Sequence, residues 1–172
     1  MRGLFLSAVV LGTGLLICCT PRVQSGALPT PASEEIRISR GPCFGFCPVY
    51  TLAVTPAGRV DFKGERHTAV LGPRSHSVGR AGYEDVRRAF APVRPPTGSE
   101  QAFSCTSEAP TDMSSLTIEW IGATGTRTTL TYRMGCRDEA GTRIERAVND
   151  QLRRLEADGW AAQKTWPGDT RG

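Results

Sequence analysis

CPVYTLAV, residues 47–54, decides the fold of this chain. Tyr50, Leu52 and Val54 alternate with Thr51 and Ala53, the period-two pattern of a half-buried strand, and the segment is rich in β-branched and aromatic residues. Thr55-Pro56-Ala57-Gly58 follows as a turn, with proline presetting φ and glycine accepting a positive one. Val60 and Phe62, set among Arg59, Asp61 and Lys63, make the returning strand of a hairpin.

Working outward, Ile36 and Ile38 predict a short first strand, and residues 67–78 predict further extended structure broken at Gly72-Pro73. Tyr83, Val86, Phe90 and Val93 form the stripe of an amphipathic helix, with Gly79 and Gly82 weakening its start and Pro92 ending it. Residues 94–115 carry no usable period, and so long a structureless loop needs something to hold it down. Leu116, Ile118 and Trp120, a turn over Gly122–Gly125, then Thr128, Leu130, Tyr132 and Met134 predict a second hairpin. Ile144, Val148, Leu152 and Leu155 mark a final helix expected to stop at Gly159 as a left-handed cap. The expected class is α+β: an antiparallel sheet of two hairpins, with two amphipathic helices packed on one face.

The N-terminal region reads as an export signal. Arg2 precedes the apolar run LFLSAVVLGTGLLI, residues 4–17, which is too short to span a bilayer core of ~30 Å. Leu16-Ile17-Cys18-Cys19 resembles a bacterial lipobox with Cys19 as the lipidated residue, although Cys18 stands where a smaller residue is usual. Ordinary cleavage after Ser25 is the competing reading; the cysteines placed directly after the apolar run favour the lipobox. The expected division is a signal over 1–19, a Pro/Ser/Gly tether over 20–33, a domain over 34–160 and a tail over 161–172. With Arg2 and Arg22 set aside, 19 basic residues face 17 acidic ones, and only two of the basic residues are lysines. Such scattered, nearly balanced charge argues against a nucleic-acid partner. Any membrane association is expected through Cys19 alone.

In an exported domain, paired cysteines are read first as disulfides. Cys43, Cys47, Cys105 and Cys136 allow three connectivities, and Cys43–Cys47 with Cys105–Cys136 is preferred. The first closes a small ring in which Gly45 absorbs an awkward φ; the second anchors the long loop. The sharper reading of C-x-x-x-C-P is a copper or thiol-redox loop, since soft sulfur ligands suit Cu(I). In thioredoxin-like proteins such cysteines precede a helix, whereas Pro48 here leads into a strand. His67 and His76 lack an evident third ligand, and no hydrolase signature or phosphate-binding glycine loop occurs. No cofactor is therefore expected. Trp160 and Trp166 read as aromatics folding back on the core rather than as a ligand platform.

RGPCFGFCPVY, residues 40–50, resembles the opening signature of DUF6438, a bacterial domain family of unknown function. The likeness extends through the strand Tyr50–Val54, Gly58 and the strand starting at Val60, then Thr111-Asp112 ahead of the second hairpin and the terminal helix, about residues 35–157. It implies that Cys43 and Cys47 serve the fold, and it implies no reaction, cofactor or partner. Cys105 and Cys136 lie outside the family's common pattern, so their pairing rests on compartment and loop length. The reading is a non-enzymatic envelope domain that binds a protein, peptide or small ligand. The alternative is a periplasmic thiol or copper handler using Cys43 and Cys47.

Overall fold

The structure, a computed structural model, describes residues 34–106 and 110–166. The expected signal, tether and Cys19 lie outside them. Seven strands form one sheet: β1 (Glu35–Arg40), β2 (Val49–Val54), β3 (Arg59–Arg66), β4 (Gly72–Ser77), β5 (Glu100–Ala102), β6 (Ser115–Ile121) and β7 (Arg127–Arg133). Their order is β4-β3-β2-β1-β6-β7-β5, antiparallel throughout except for the β5–β7 pair. The helices are α1 (Gly79–Phe90), α2 (Glu139–Arg154) and a single turn α3 (Asp158–Ala161), with a 3-10 turn at Ala91–Val93.

The class is α+β, and the sheet is larger than two hairpins. β1 joins them, pairing with β2 on one side and β6 on the other. Register then stacks side chains in rows: Phe62, Leu52, Ile38, Ile118 and Leu130 lie side by side and are all buried. Tyr83, Val86 and Phe90 from α1, and Ile144, Val148 and Leu152 from α2, join the same apolar cluster. The opposite face carries Arg37, Ser39, Thr51, Ala53, Thr117 and Glu119, all half-buried by their sheet neighbours. That alternation is what produces a sheet with one dry face.

Four expectations are corrected. Gly72-Pro73 opens β4 rather than breaking an element, which a sheet edge permits because proline's missing N–H costs no ladder bond there. The long loop contains β5, and the Phe103 amide donates to the Thr131 carbonyl beside it. α2 stops before Gly159: Glu156 takes the left-handed conformation (φ 51°), with its amide donating to the Arg153 carbonyl and that of Ala157 to the Leu152 carbonyl. Those two bonds are a Schellman motif, and the turn they make buries Leu155 and Ala157 completely. Finally, residues 161–164 are not the start of a tail. The Ala69 amide donates to the Ala162 carbonyl and that of Lys164 to the His67 carbonyl, closing the edge beyond β3.

Two glycines permit close approaches. Gly58 (φ 84°) holds its carbonyl out to the Val78 amide, and a Cβ there would collide with the backbone of Gly79, so the β2–β3 turn seats directly on the start of α1. A Cβ at Gly141 would come within 2.7 Å of the Cys136 Cβ, so only glycine lets the first turn of α2 lie against that half-cystine.

Candidate functional site

The cysteine segment, residues 41–48, is a loop between β1 and β2, and the structure brings Cys43 and Cys47 together in a disulfide (Cα–Cα 5.7 Å). Gly45 lies within the ring at φ 151°. Two backbone bonds tether the loop from outside: the Gly41 amide donates to the Ser115 carbonyl, and the Phe44 amide to the Asp112 carbonyl. The Thr111-Asp112 segment thus braces the loop. Phe44 projects from its tip at 92% exposure, while Phe46 sets its ring edge-on to His67.

Cys105 and Cys136 form a second disulfide (Cα–Cα 5.9 Å). Asp138 sits beside it as the N-cap of α2. One carboxylate oxygen accepts from the amide and hydroxyl of Thr106, at 2.9 Å each, and the other from the Gly141 amide at 2.7 Å. Those bonds, the Thr106 amide first and then that of Gly141, hold the carboxyl below the usual aspartate range. Among the described residues, Cys105, Cys136 and Asp138 are the one group of three potential metal ligands near enough to share an ion. With both sulfurs in a disulfide and the carboxylate engaged by three donors, the trio offers no ligand set.

The two histidines are kept apart. His76 pairs opposite Val60 near the start of β3 and packs edge-on to Trp160, while His67 lies past the end of β3. Trp160 also contacts Phe62 in the core, whereas Trp166 is 56% exposed.

Two recesses border β1 and β2. The open sheet face over β1–β4 forms a groove of about 710 Å³ in which Arg37, Arg59, Lys63 and Arg74 outnumber Asp61 and Glu65. Arg37 is paired to Glu35 at 2.6 Å and Arg59 to Asp61 at 2.8 Å, whereas the guanidinium of Arg74 donates only to the neighbouring Pro73 carbonyl. The second recess, about 320 Å³, lies below the cysteine loop where the ends of β1 and β2 meet α2 and α3. Its sheet side is Arg40, Pro48 and Tyr50, faced by Asn149, Arg153 and Asp158. Register puts Arg40 in a row with Tyr50, Leu116 and Tyr132, all three buried. Burial pushes the Tyr50 hydroxyl up to about 12, against a smaller opposing pull from the charge of Arg40.

Sequence reasoning overlooked Arg40 as anything but part of the family signature. The signal was available: it continues the Ile36, Ile38 alternation onto the apolar face with a charge. Asp138 was equally legible as an N-cap, directly ahead of a helical period.

No helix among the described residues is long and apolar enough to cross a membrane. No curated protein matches the chain. The model of the family described as "Domain of unknown function (DUF6438)" matches residues 34–154, and the chain belongs to that family.

Proposed function

We propose that this DUF6438 member is a non-enzymatic domain of the cell envelope, exported by its N-terminal signal and held at the membrane through Cys19, which binds a protein, peptide or small ligand. The observation that carries the reading is the open face of the sheet. It presents a groove of about 710 Å³ whose charges come from strands of a rigid sheet, the kind of platform on which recognition residues keep their geometry. Closure of all four described cysteines as disulfides supports it, since neither pair then supplies a thiolate.

The test of binding is a charge swap. Arg59→Glu/Lys63→Glu should melt close to the parent, because both side chains are exposed and alternate with Val60 and Phe62 onto the open face. Partners captured by the parent from envelope extract should be lost by the swapped protein. Identical capture by both would remove the groove from the reading. The competing thiol or copper role of Cys43 and Cys47 is decided separately, by counting thiols in protein purified without reductant and titrating it with Cu(I). Zero thiols and no tight copper binding are expected; a readily reduced Cys43–Cys47 pair that binds Cu(I) would overturn the non-redox reading. For the anchor, Cys19→Ser should abolish acylation and release the protein from membranes, and unchanged retention of a correctly cleaved variant would rule the lipid out.

A further inference from the structure

The row Tyr50–Arg40–Leu116–Tyr132 contains a contradiction that the fold alone does not resolve. β1 is flanked on both sides, so Arg40 has strands at either hand, and its three row neighbours are at most 3% exposed. Its Nε is buried and has no hydrogen-bond partner. Among the described residues no carboxylate lies within ion-pairing distance of the guanidinium, although arginines elsewhere pair readily, Arg94 with Glu34 at 2.6 Å and Arg87 with Glu84 at 2.7 Å. Arg40 is half-buried, and its Nε has lost hydration that no described partner replaces, which is destabilising. A leucine or methionine would suit that position better. Arg40 is thus a cost to the empty fold that an incoming anion would remove.

The recess supplies the rest of a site. Arg40 and Tyr50 are direct cross-strand partners on the same face, and both line the 320 Å³ cleft. No described residue accepts a hydrogen bond from the Tyr50 hydroxyl, which therefore offers a second donor beside the guanidinium. Arginine's planar fork matches the two oxygens of a carboxylate, and a neutral phenol can add a third hydrogen bond. The facing charges limit what can enter. Arg153 is already paired with Asp150, and Asp158 repels a second negative charge, so the cleft is matched to a monoanion. Its volume, at the lower end of the range for small-ligand pockets, suits a small molecule or a chain end rather than a folded surface.

We infer that the Arg40–Tyr50 cleft is a carboxylate-binding site, taking the carboxylate of a small acid or of a peptide chain end. The inference deepens the binding reading above and adds a second, smaller recognition site on the same domain. It is separable from that reading, because it is read at Arg40 and not at the sheet groove or the thiols.

The experiment titrates the full chain with N-acetylglycine, with acetate, and with the neutral twin N-acetylglycinamide, following the Arg40 Nε–H and the amides of residues 149–153 by NMR. Saturable shifts are expected with the carboxylates, and binding of the amide at least about tenfold weaker. A preference for N-acetylglycine over acetate of about tenfold or more identifies a chain end, and equal affinity a small free acid; both support the site. Arg40→Met should lose carboxylate binding by about tenfold or more and, with no ligand present, melt higher than the parent. A residue placed for stability would move the melting temperature the other way. Equal binding of acid and amide, no saturable shift up to about 50 mM, or an Arg40→Met protein that melts lower and still binds, would each overturn the inference.

Discussion

At the scale of single residues, two positions show how local chemistry sets stability here. Glu156 is exposed and adopts φ 51°, where a side chain costs roughly 1–2 kcal/mol relative to the right-handed region. It tolerates this because the Schellman turn buries Leu155 and Ala157 behind it. Glu156→Gly should keep that turn and relieve the strain, stabilising by about 0.5–1 kcal/mol after glycine's larger loss of freedom, a rise of a few degrees in a thermal melt. An unchanged or lower melting temperature would show the strain to be relieved already. Asp138 works through charge. Its carboxyl titrates lower in the fold than in the unfolded chain, so it contributes stability that is present above about pH 4 and lost as pH falls through the depressed folded value. Asp138→Asn should therefore be less stable than the parent at pH 7, and the gap should narrow as the pH drops below 4. A gap that stays constant with pH would assign the effect to hydrogen-bond geometry alone.

At the scale of elements, the two disulfides restrain segments that are otherwise held very differently. The 43–47 ring is small, so its chain-entropy contribution is only about 2 kcal/mol, and backbone bonds to Asp112 and Ser115 hold the loop as well. The 105–136 bond closes a loop with a sequence separation of 31, for which the same argument gives about 3.7 kcal/mol. Cys105→Ala/Cys136→Ala should accordingly lower the melting temperature more than Cys43→Ala/Cys47→Ala, with both proteins still folded because neither bond lies within the sheet ladder. The reverse order would mean that β5 and the Thr106–Asp138 bonds secure the long loop without help from the disulfide. β5 itself shows the limit of local reading. Glu100-Gln101-Ala102 is exposed at every position and has no bulky apolar residue, so no hydrophobic period marks it. It is a strand only because β7 presents a free edge for it to join.

At the scale of the whole molecule, burial governs the response to alkali. All three tyrosines, Tyr50, Tyr83 and Tyr132, titrate above the ordinary value of 10, in each case first because burial disfavours the phenolate. Tyr132 also donates to Glu145 at 2.6 Å, which disfavours its ionisation further. Raised folded values contribute stability that is complete below pH 10 and lost as the pH rises beyond it, through about 12 for Tyr50. Ultraviolet titration should place the tyrosinate transition of the folded protein above that of the unfolded chain; a tyrosinate step centred on pH 10 in folded protein would contradict this. The same burial separates what was legible in the chain from what was not. Alternation and turn residues alone determined the strands of both hairpins, the stripes of α1 and α2, and the α+β class, because those signals are local: neighbouring side chains declare which face is apolar. Family membership was likewise carried by the short segment around Cys43 and Cys47. Only the tertiary structure decided that β1 joins the hairpins into one sheet, that β5 completes its edge, and that α2 ends on a strained Glu156 rather than on Gly159. It alone decided that Arg40 stands in a buried row beside Tyr50 with no ion-pair partner among the described residues, since pairing register and cleft shape depend on residues far apart in the chain, and no local pattern encodes their meeting.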